Sequence, residues 1–255
     1  MKLPATYRFA CLFALIVSLW GCGKEGAGCL GSAGDLQREE IAVPGFSEIT
    51  VFENVRLVVR QGPEQRVVLE TGKNLRDGVS ARVEDGVLEL RDSNNCNLFR
   101  EYGLTTFYVT APDLGTIRSS TGWPIASDGV LAFDALTLIS ESFNNPETET
   151  TDGAFDMDLA AGEVRLVANG IAYFKLRGTA GSLRVTIAAG DSRVEASELV
   201  SGRVTLDHRG SNQVLVNPTG RLDGVIRGYG DVLSYNRPDT VDVEERYRGR
   251  LIFVE

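Results

Sequence analysis

The sequence predicts an all-β fold, built as a right-handed parallel β-helix with coils of about 20 residues, and three observations carry that expectation. Gly170, Gly190, Gly210 and Gly230 stand 20 residues apart. Apolar residues keep a similar step, with Phe174, Val194 and Val214 in one set and Leu166, Ile187, Leu206 and Ile226 in another. Between the glycines the chain alternates apolar and polar residues over strand-length pieces. A fixed period near 20 marks an array in which each repeat buries its apolar face against its neighbours alone. A parallel crossover connection is right-handed by general rule.

The N-terminus is read first as an export signal. Lys2 and Arg8 precede an apolar run from Phe9 to Trp20 that is too short to span a bilayer. The run ends in Leu19-Trp20-Gly21-Cys22, which resembles the bacterial lipobox, in which the chain is cut before a cysteine that receives lipid. Trp20 departs from the small residue usual at its place, and ordinary secretion with Cys22 as a stray thiol is the alternative. Residues 1–21 are therefore expected to be a lipoprotein signal peptide, with Cys22 the lipidation site and the membrane the first partner. Two or more acyl chains anchor a protein firmly, at about 0.8 kcal/mol per buried methylene. Gly23 follows Cys22 where aspartate would favour inner-membrane retention, so outer-membrane sorting is expected.

Residues 22–44 read as a glycine-rich tether. Gly-x-Gly-x-x-Gly occurs twice there by spacing, but a dinucleotide site needs that motif between a strand and a helix. With Cys11 in the signal and Cys22 lipidated, Cys29 and Cys96 remain. Their simplest reading in an exported protein is one disulfide, the alternative being two free thiols.

Residues 45–255 read as the folded domain. Residues 49–51, 55–59 and 67–69 form short runs bounded by Gly45, Gly62-Pro63 and Gly72. Asp85-Gly86 between residues 79–83 and 87–90 signals a tight hairpin. Residues 74–77 allow a single helical turn at most, and Phe107-Tyr-Val109 is a strand ended before Pro112. Leu131, Phe133, Leu136 and Leu138 fit one rung. In the repeats, residues 183–187 and 194–196, then 204–206 and 214–216, point alternate side chains inward, leaving Arg184, Thr186, Glu195 and Thr205 outward. Asn169, Asp191, Asp207, Asn212 and Asp231 beside the glycines suit turns of positive φ.

Chemistry is sparse by comparison. The net charge of −9 argues against a nucleic-acid partner, which needs a basic face. Residues 140–152 read as a solvated acidic loop; Glu147, Glu149 and Asp152 offer hard oxygens for calcium, without the spacing of an EF-hand. Asp156 and Asp158 share a strand face as a glycosidase pair would, with no basic residue obvious beside them. His208, the single histidine, reads as a surface or turn residue because a general base needs a positioned partner. Phe99, Tyr102, Phe107, Tyr108 and Trp123 read as a cap on the first coils, or, if exposed, as a docking surface. No catalytic, cofactor or metal residue is assigned.

A family resemblance emerges from the motifs. Residues 190–199 (GDSRVEASEL), 214–218 (VLVNP) and 228–238 (GYGDVLSYNRP) resemble the head GIN domain, a family labelled "putative autotransporter adhesin" and made of bacterial envelope proteins. Residues 46–51, 58–62, 74–90, 95–97 and 108–114 continue the resemblance in the family's order, over roughly residues 29 to 255. It departs at residues 210–214 and 140–152. The resemblance implies a right-handed parallel β-helix with no catalytic residues to carry over, and Cys29 and Cys96 match cysteines carried by some lipoprotein members. The expected function is a lipid-anchored, non-catalytic envelope module, adhesin-like or structural, with a protein or glycan ligand. A carbohydrate-active enzyme, lyase or hydrolase, is the alternative.

Overall fold

The computed structural model describes residues 31–96, 101, 103–145 and 147–254. Among these the fold is all-β, seventeen strands in one curled sheet, with a 3-10 turn at Arg76–Gly78 where a single turn was expected. The expected signal segment (residues 1–21), Cys22, Cys29, Phe99 and Tyr102 lie outside the described residues.

Four long strands form the ladder: β11 (Ala154–Ala168), β12 (Tyr173–Ile187), β13 (Arg193–His208) and β14 (Val214–Ile226) pair in parallel, one beside the next. Each folds across a bend into a first half and a second half. The first halves stack Phe155, Phe174, Val194 and Val214 in one row, as the 20-residue spacing predicts. In the second halves the register differs from expectation. Leu166 shares a column with Val185 and Leu206, whereas Ile187 shares one with Ala168, His208 and Ile226. Coils of unequal length shift one set by two residues, a slip invisible in the averaged period.

The bends explain a glycine column that the 20-residue spacing conceals. Gly162, Gly181, Gly202 and Gly220 sit at successive bends, and a Cβ on Gly181 would lie 2.6 Å from the Gly162 carbonyl. On Gly202 it would lie 2.8 Å from that of Gly181. At the opposite corner Gly170, Gly190 and Gly210 stack as read from the sequence. The turn residues beside them do not take positive φ, which among described non-glycine residues is confined to Asn54 and Asp85. Gly190 takes it (φ +84°), freeing the polar side chains to bond between coils. Asn212 Nδ2 donates to the Asp191 carbonyl at 3.3 Å, and Ser211 Oγ to the Asp191 carboxylate at 2.7 Å.

The ladder continues past β14 with shorter strands. β15 (Val232–Ser234) joins the first-half face with Val232 beside Val214, two residues short of the 20-residue period. β16 (Thr240–Glu245) then joins the second-half face and β17 (Leu251–Phe253) pairs with β15. The pattern is faint because β16 is largely exposed. Among the described residues, β16 and β17 each pair along one side only.

The N-terminal third is mixed: it holds the expected Asp85-Gly86 hairpin and, as a correction to the parallel β-helix expectation, two further antiparallel pairings. On the second-half face, β2 (Glu48–Val51), β8 (Thr116–Ser119) and β10 (Ala135–Ser140) extend the parallel stack. β6 (Val87–Asp92) flanks β2, and β5 (Val79–Glu84) flanks β6 antiparallel through the Asp85-Gly86 turn, both residues at positive φ (50° and 80°). A two-residue turn of that kind can join antiparallel strands only. On the first-half face, β9 (Pro124–Leu131), β3 (Val55–Gln61) and β7 (Thr105–Ala111) stack in parallel. β4 (Arg66–Gly72) then runs antiparallel beside β7, and β1 (Leu36–Glu40) antiparallel beside β4. β1 falls within the expected tether; its five residues are all exposed, so no apolar alternation announces it.

One continuous apolar core lies between the two faces. Phe155 and Phe174 stack there with ring centroids 4.9 Å apart and planes 2° from parallel. Leu131, Phe133, Leu136 and Leu138 are buried in it, as their spacing implies.

Candidate functional site

A concavity of about 490 Å³ lies on the outer side of the first-half face, where β1, β4, β7, β3 and β9 adjoin. Strand alternation builds it. Leu57, Val59, Val67, Leu69, Phe107 and Val109 point into the core, which turns their neighbours outward. The register then sets Val58, Tyr108 and Val68 in one cross-strand row and Arg60, Thr110 and Arg66 in the next. β1 closes one side with Arg38 and Glu40, and β9 contributes Asp128.

Every arginine of the cleft is held by a carboxylate. Arg66 Nε donates to Glu40 at 2.7 Å, Arg60 pairs with Asp128, and Arg38 pairs with Glu70. The Arg38 guanidinium also lies 4.7 Å from the Tyr108 ring centroid and donates to its hydroxyl at 3.2 Å. The hydrogen bond and charge of Glu70 raise the Arg38 pKa. Arginine side chains at this site are 61–62% exposed, so the pairs position donors more than they stabilise the fold.

Asp156 and Asp158 do meet a basic residue, contrary to the sequence reading. Arg177 on the adjacent coil bridges them, 2.6 Å to Asp156 and 2.7 Å to Asp158. Their carboxylates raise its pKa, the Asp158 hydrogen bond foremost. The trio lies on an open strand face beside a dimple of about 30 Å³, room for about one water. Two carboxylates clasped by one guanidinium serve as a tie between coils, with no enclosed space for a sugar between them.

The acidic loop is anchored instead of solvated throughout. Ser140, Glu141 and Thr148 are buried. Burial pushes the Glu141 pKa up, but Arg118 Nη1 at 2.9 Å and the amides of Phe143 and Asn144 outweigh it, leaving the carboxyl below its usual range. Glu147 pairs with Arg91 at 2.8 Å. Among the described residues no group of three or more His, Cys, Asp or Glu converges to hold a metal. Of the aromatic set, Phe107 is in the core, whereas Trp123 lies under Arg56, 4.2 Å from the guanidinium. Tyr108 belongs to the cleft, so the described members of the set (Phe107, Tyr108 and Trp123) do not form a single cap.

His208 is fully buried, which overturns the surface reading. It occupies an inward position between Ile187 and Ile226, and Gly210 and Gly230 leave room for its ring. Neither ring nitrogen has a well-formed hydrogen bond. Burial lowers its pKa from 6.5, offset in part by the nearby backbone of Asn212 and Gly230 and by Asp207 and Asp231. The folded state therefore takes up the proton less readily than the unfolded chain. The stability this confers is complete above about pH 6.5 and falls as pH drops below it toward the folded-state pKa. Urea midpoints measured from pH 7.5 to 5.5 should fall in the native protein, and His208→Leu should flatten that slope.

A crystal structure described as a putative adhesin from Bacteroides fragilis superposes with a TM-score of 0.76 at 18% identity, covering 88% of this chain and 99% of that one. A putative adhesin from Parabacteroides distasonis gives 0.61 at 16% identity, covering 88% and 99%. A putative lipid binding protein from the same organism gives 0.58 at 14% identity, covering 86% and 97%. At such identities the likeness is one of fold. No curated protein matches the chain. The family model described as "Putative auto-transporter adhesin, head GIN domain" matches residues 45–238, and the chain belongs to that family.

Proposed function

We propose that this chain is a non-catalytic binding module of the bacterial cell envelope, adhesin-like in action, presenting the cleft of β1, β3, β4, β7 and β9 to its ligand. The observation that carries this reading is the cleft, where oriented arginine–carboxylate pairs flank Tyr108 and two valines on a rigid sheet. Concave sites with few convergent polar groups are the usual places of ligand binding. Asp156 and Asp158, the candidates for a carbohydrate-active enzyme, are clasped by Arg177, which favours binding over hydrolysis.

In this reading residues 1–21 are the signal peptide, Cys22 carries the lipid, residues 22–44 are the tether, whose β1 (Leu36–Glu40) adds a strand to the sheet, and residues 45–255 form the domain. The outer membrane is the expected destination. The stack of about 20-residue parallel coils is read as a right-handed β-helix, the hand that parallel crossovers favour. Cys96 is engaged, not free, and Cys29 is its proposed disulfide partner.

One preparation tests the set. Mass spectrometry of the unreduced protein should show an acylated Cys22 peptide and a linked Cys29–Cys96 peptide. Cys22→Ala should move the protein from the membrane fraction to the soluble one. Arg66→Ala with Tyr108→Ala should abolish co-sedimentation with cell-envelope material without changing membrane retention. Binding unaltered by that double variant refutes the cleft as the site.

A further inference from the structure

The geometry points to a neutral glycan, an extended chain of hexose units, as the ligand of this cleft; the assignment rests on the binding-module reading above. A sugar hydroxyl donates and accepts hydrogen bonds at once, and the lining supplies both kinds of partner side by side. Arg66 with Glu40 and Arg60 with Asp128 each place a guanidinium next to a carboxylate. A guanidinium carries five N–H donors, and the contacts with these carboxylates occupy only part of that set. The row of Val58, Tyr108 and Val68 offers the apolar and aromatic surface that the C–H face of a pyranose covers.

Charge selects the neutral class. Arg38, Arg60 and Arg66 are matched one for one by Glu70, Asp128 and Glu40, so the cleft carries no excess positive charge to hold an acidic polymer. An acyl chain would find no large exposed hydrophobic side chain in the lining, among the described residues, against which to bury itself. Paired charges also continue beyond the cleft along the same face. Asp156 and Asp158 with Arg177 lie on the next coils, and Glu195 with Arg193 and Tyr173 follow. Strands there step by about 4.8 Å, close to the length of one extended pyranose unit, which suits a chain of units over a single ring.

The test is calorimetric titration of the full-length protein, purified in a detergent without sugar groups. The probes are cellotetraose, maltotetraose, mannotetraose and chitotetraose, with trigalacturonate as the acidic counterpart and phosphatidylglycerol vesicles as the lipid one. At least one neutral tetrasaccharide should bind with a sub-millimolar Kd. Tyr108→Ala and Arg66→Lys, the second keeping charge but not the fork, should each weaken it about 10-fold or more. Arg227→Lys on the opposite face should leave it unchanged. Binding of trigalacturonate or vesicles alone, or neutral binding indifferent to Tyr108 and Arg66, overturns the assignment. Absence of any sugar binding, with Tyr108-dependent co-sedimentation of envelope material intact, overturns the glycan class and spares the binding module. Shortened oligosaccharides in the titrated mixture overturn both.

Discussion

Phe174→Ala should destabilise the ladder by about 3–5 kcal/mol, the range for removing a fully buried aromatic side chain. Phe174 stacks on Phe155, so its loss leaves one ring facing a void across two coils. Each coil touches only its neighbours, so the damage should be concentrated. Hydrogen exchange should accelerate most in β11, β12 and β13, and less in the β5–β6 hairpin. Thermal denaturation should show a midpoint lower by roughly 6–20 °C. A uniform rise in exchange over every strand would mean that the stack unfolds as one block.

Gly190→Val should cost about 3 kcal/mol or more, through two penalties that add. Its φ of +84° is a conformation that β-branched residues avoid, and the new Cβ would lie 2.2 Å from the Gly170 carbonyl. Gly86 and Gly115 separate the two penalties. Gly86 has φ +80° but open space around it, so Gly86→Ala meets backbone strain alone. Gly115 lacks positive φ and has its nearest neighbour at 3.9 Å, so Gly115→Ala should be nearly neutral. Urea midpoints in the order Gly115→Ala, Gly86→Ala, Gly190→Val, from highest to lowest, would bear this out. A Gly190→Val protein as stable as Gly86→Ala would refute the close approach between coils.

These glycines show how far a one-dimensional pattern reaches. The corner column was legible because Gly170, Gly190 and Gly210 keep an even interval. The bend column was not, since Gly162, Gly181, Gly202 and Gly220 are unevenly spaced and coil length is absorbed on either side of them. The Asp85-Gly86 hairpin was legible because its turn chemistry is local. The antiparallel placement of β4 beside β7 depends on a partner some 40 residues away, and no local signal announces it.

The cleft was hidden for the same reason. Val58, Arg60 and Tyr108 could be recognised as outward residues from the alternation of β3 and β7, yet nothing in the order of residues sets Arg66 opposite Thr110. β1, which supplies Arg38 and Glu40, carries no apolar signature at all. His208 was misread because its value lies in the register: it occupies a column otherwise filled by Ala168, Ile187 and Ile226. A polar residue name outweighed a position that only the stacked coils reveal. Arg177 was missed beside Asp156 and Asp158 because it arrives from the next coil, 19 positions beyond Asp158.

The last coil has a consequence for how copies of this protein coexist at high density. β16 presents one unpaired backbone edge, the same kind of edge onto which every preceding coil was laid. Such an edge is a template for recruiting a strand from another molecule. Asp242 and Glu244 stand exposed on it, with Arg246 just beyond, so a second copy arriving edge-on would bring like charges into register and lose their hydration. The feature that made β16 faint in the sequence, its lack of an apolar face, also removes the hydrophobic drive for such pairing. The rung laid last among the described residues is charged, which disfavours edge-to-edge growth into a fibre.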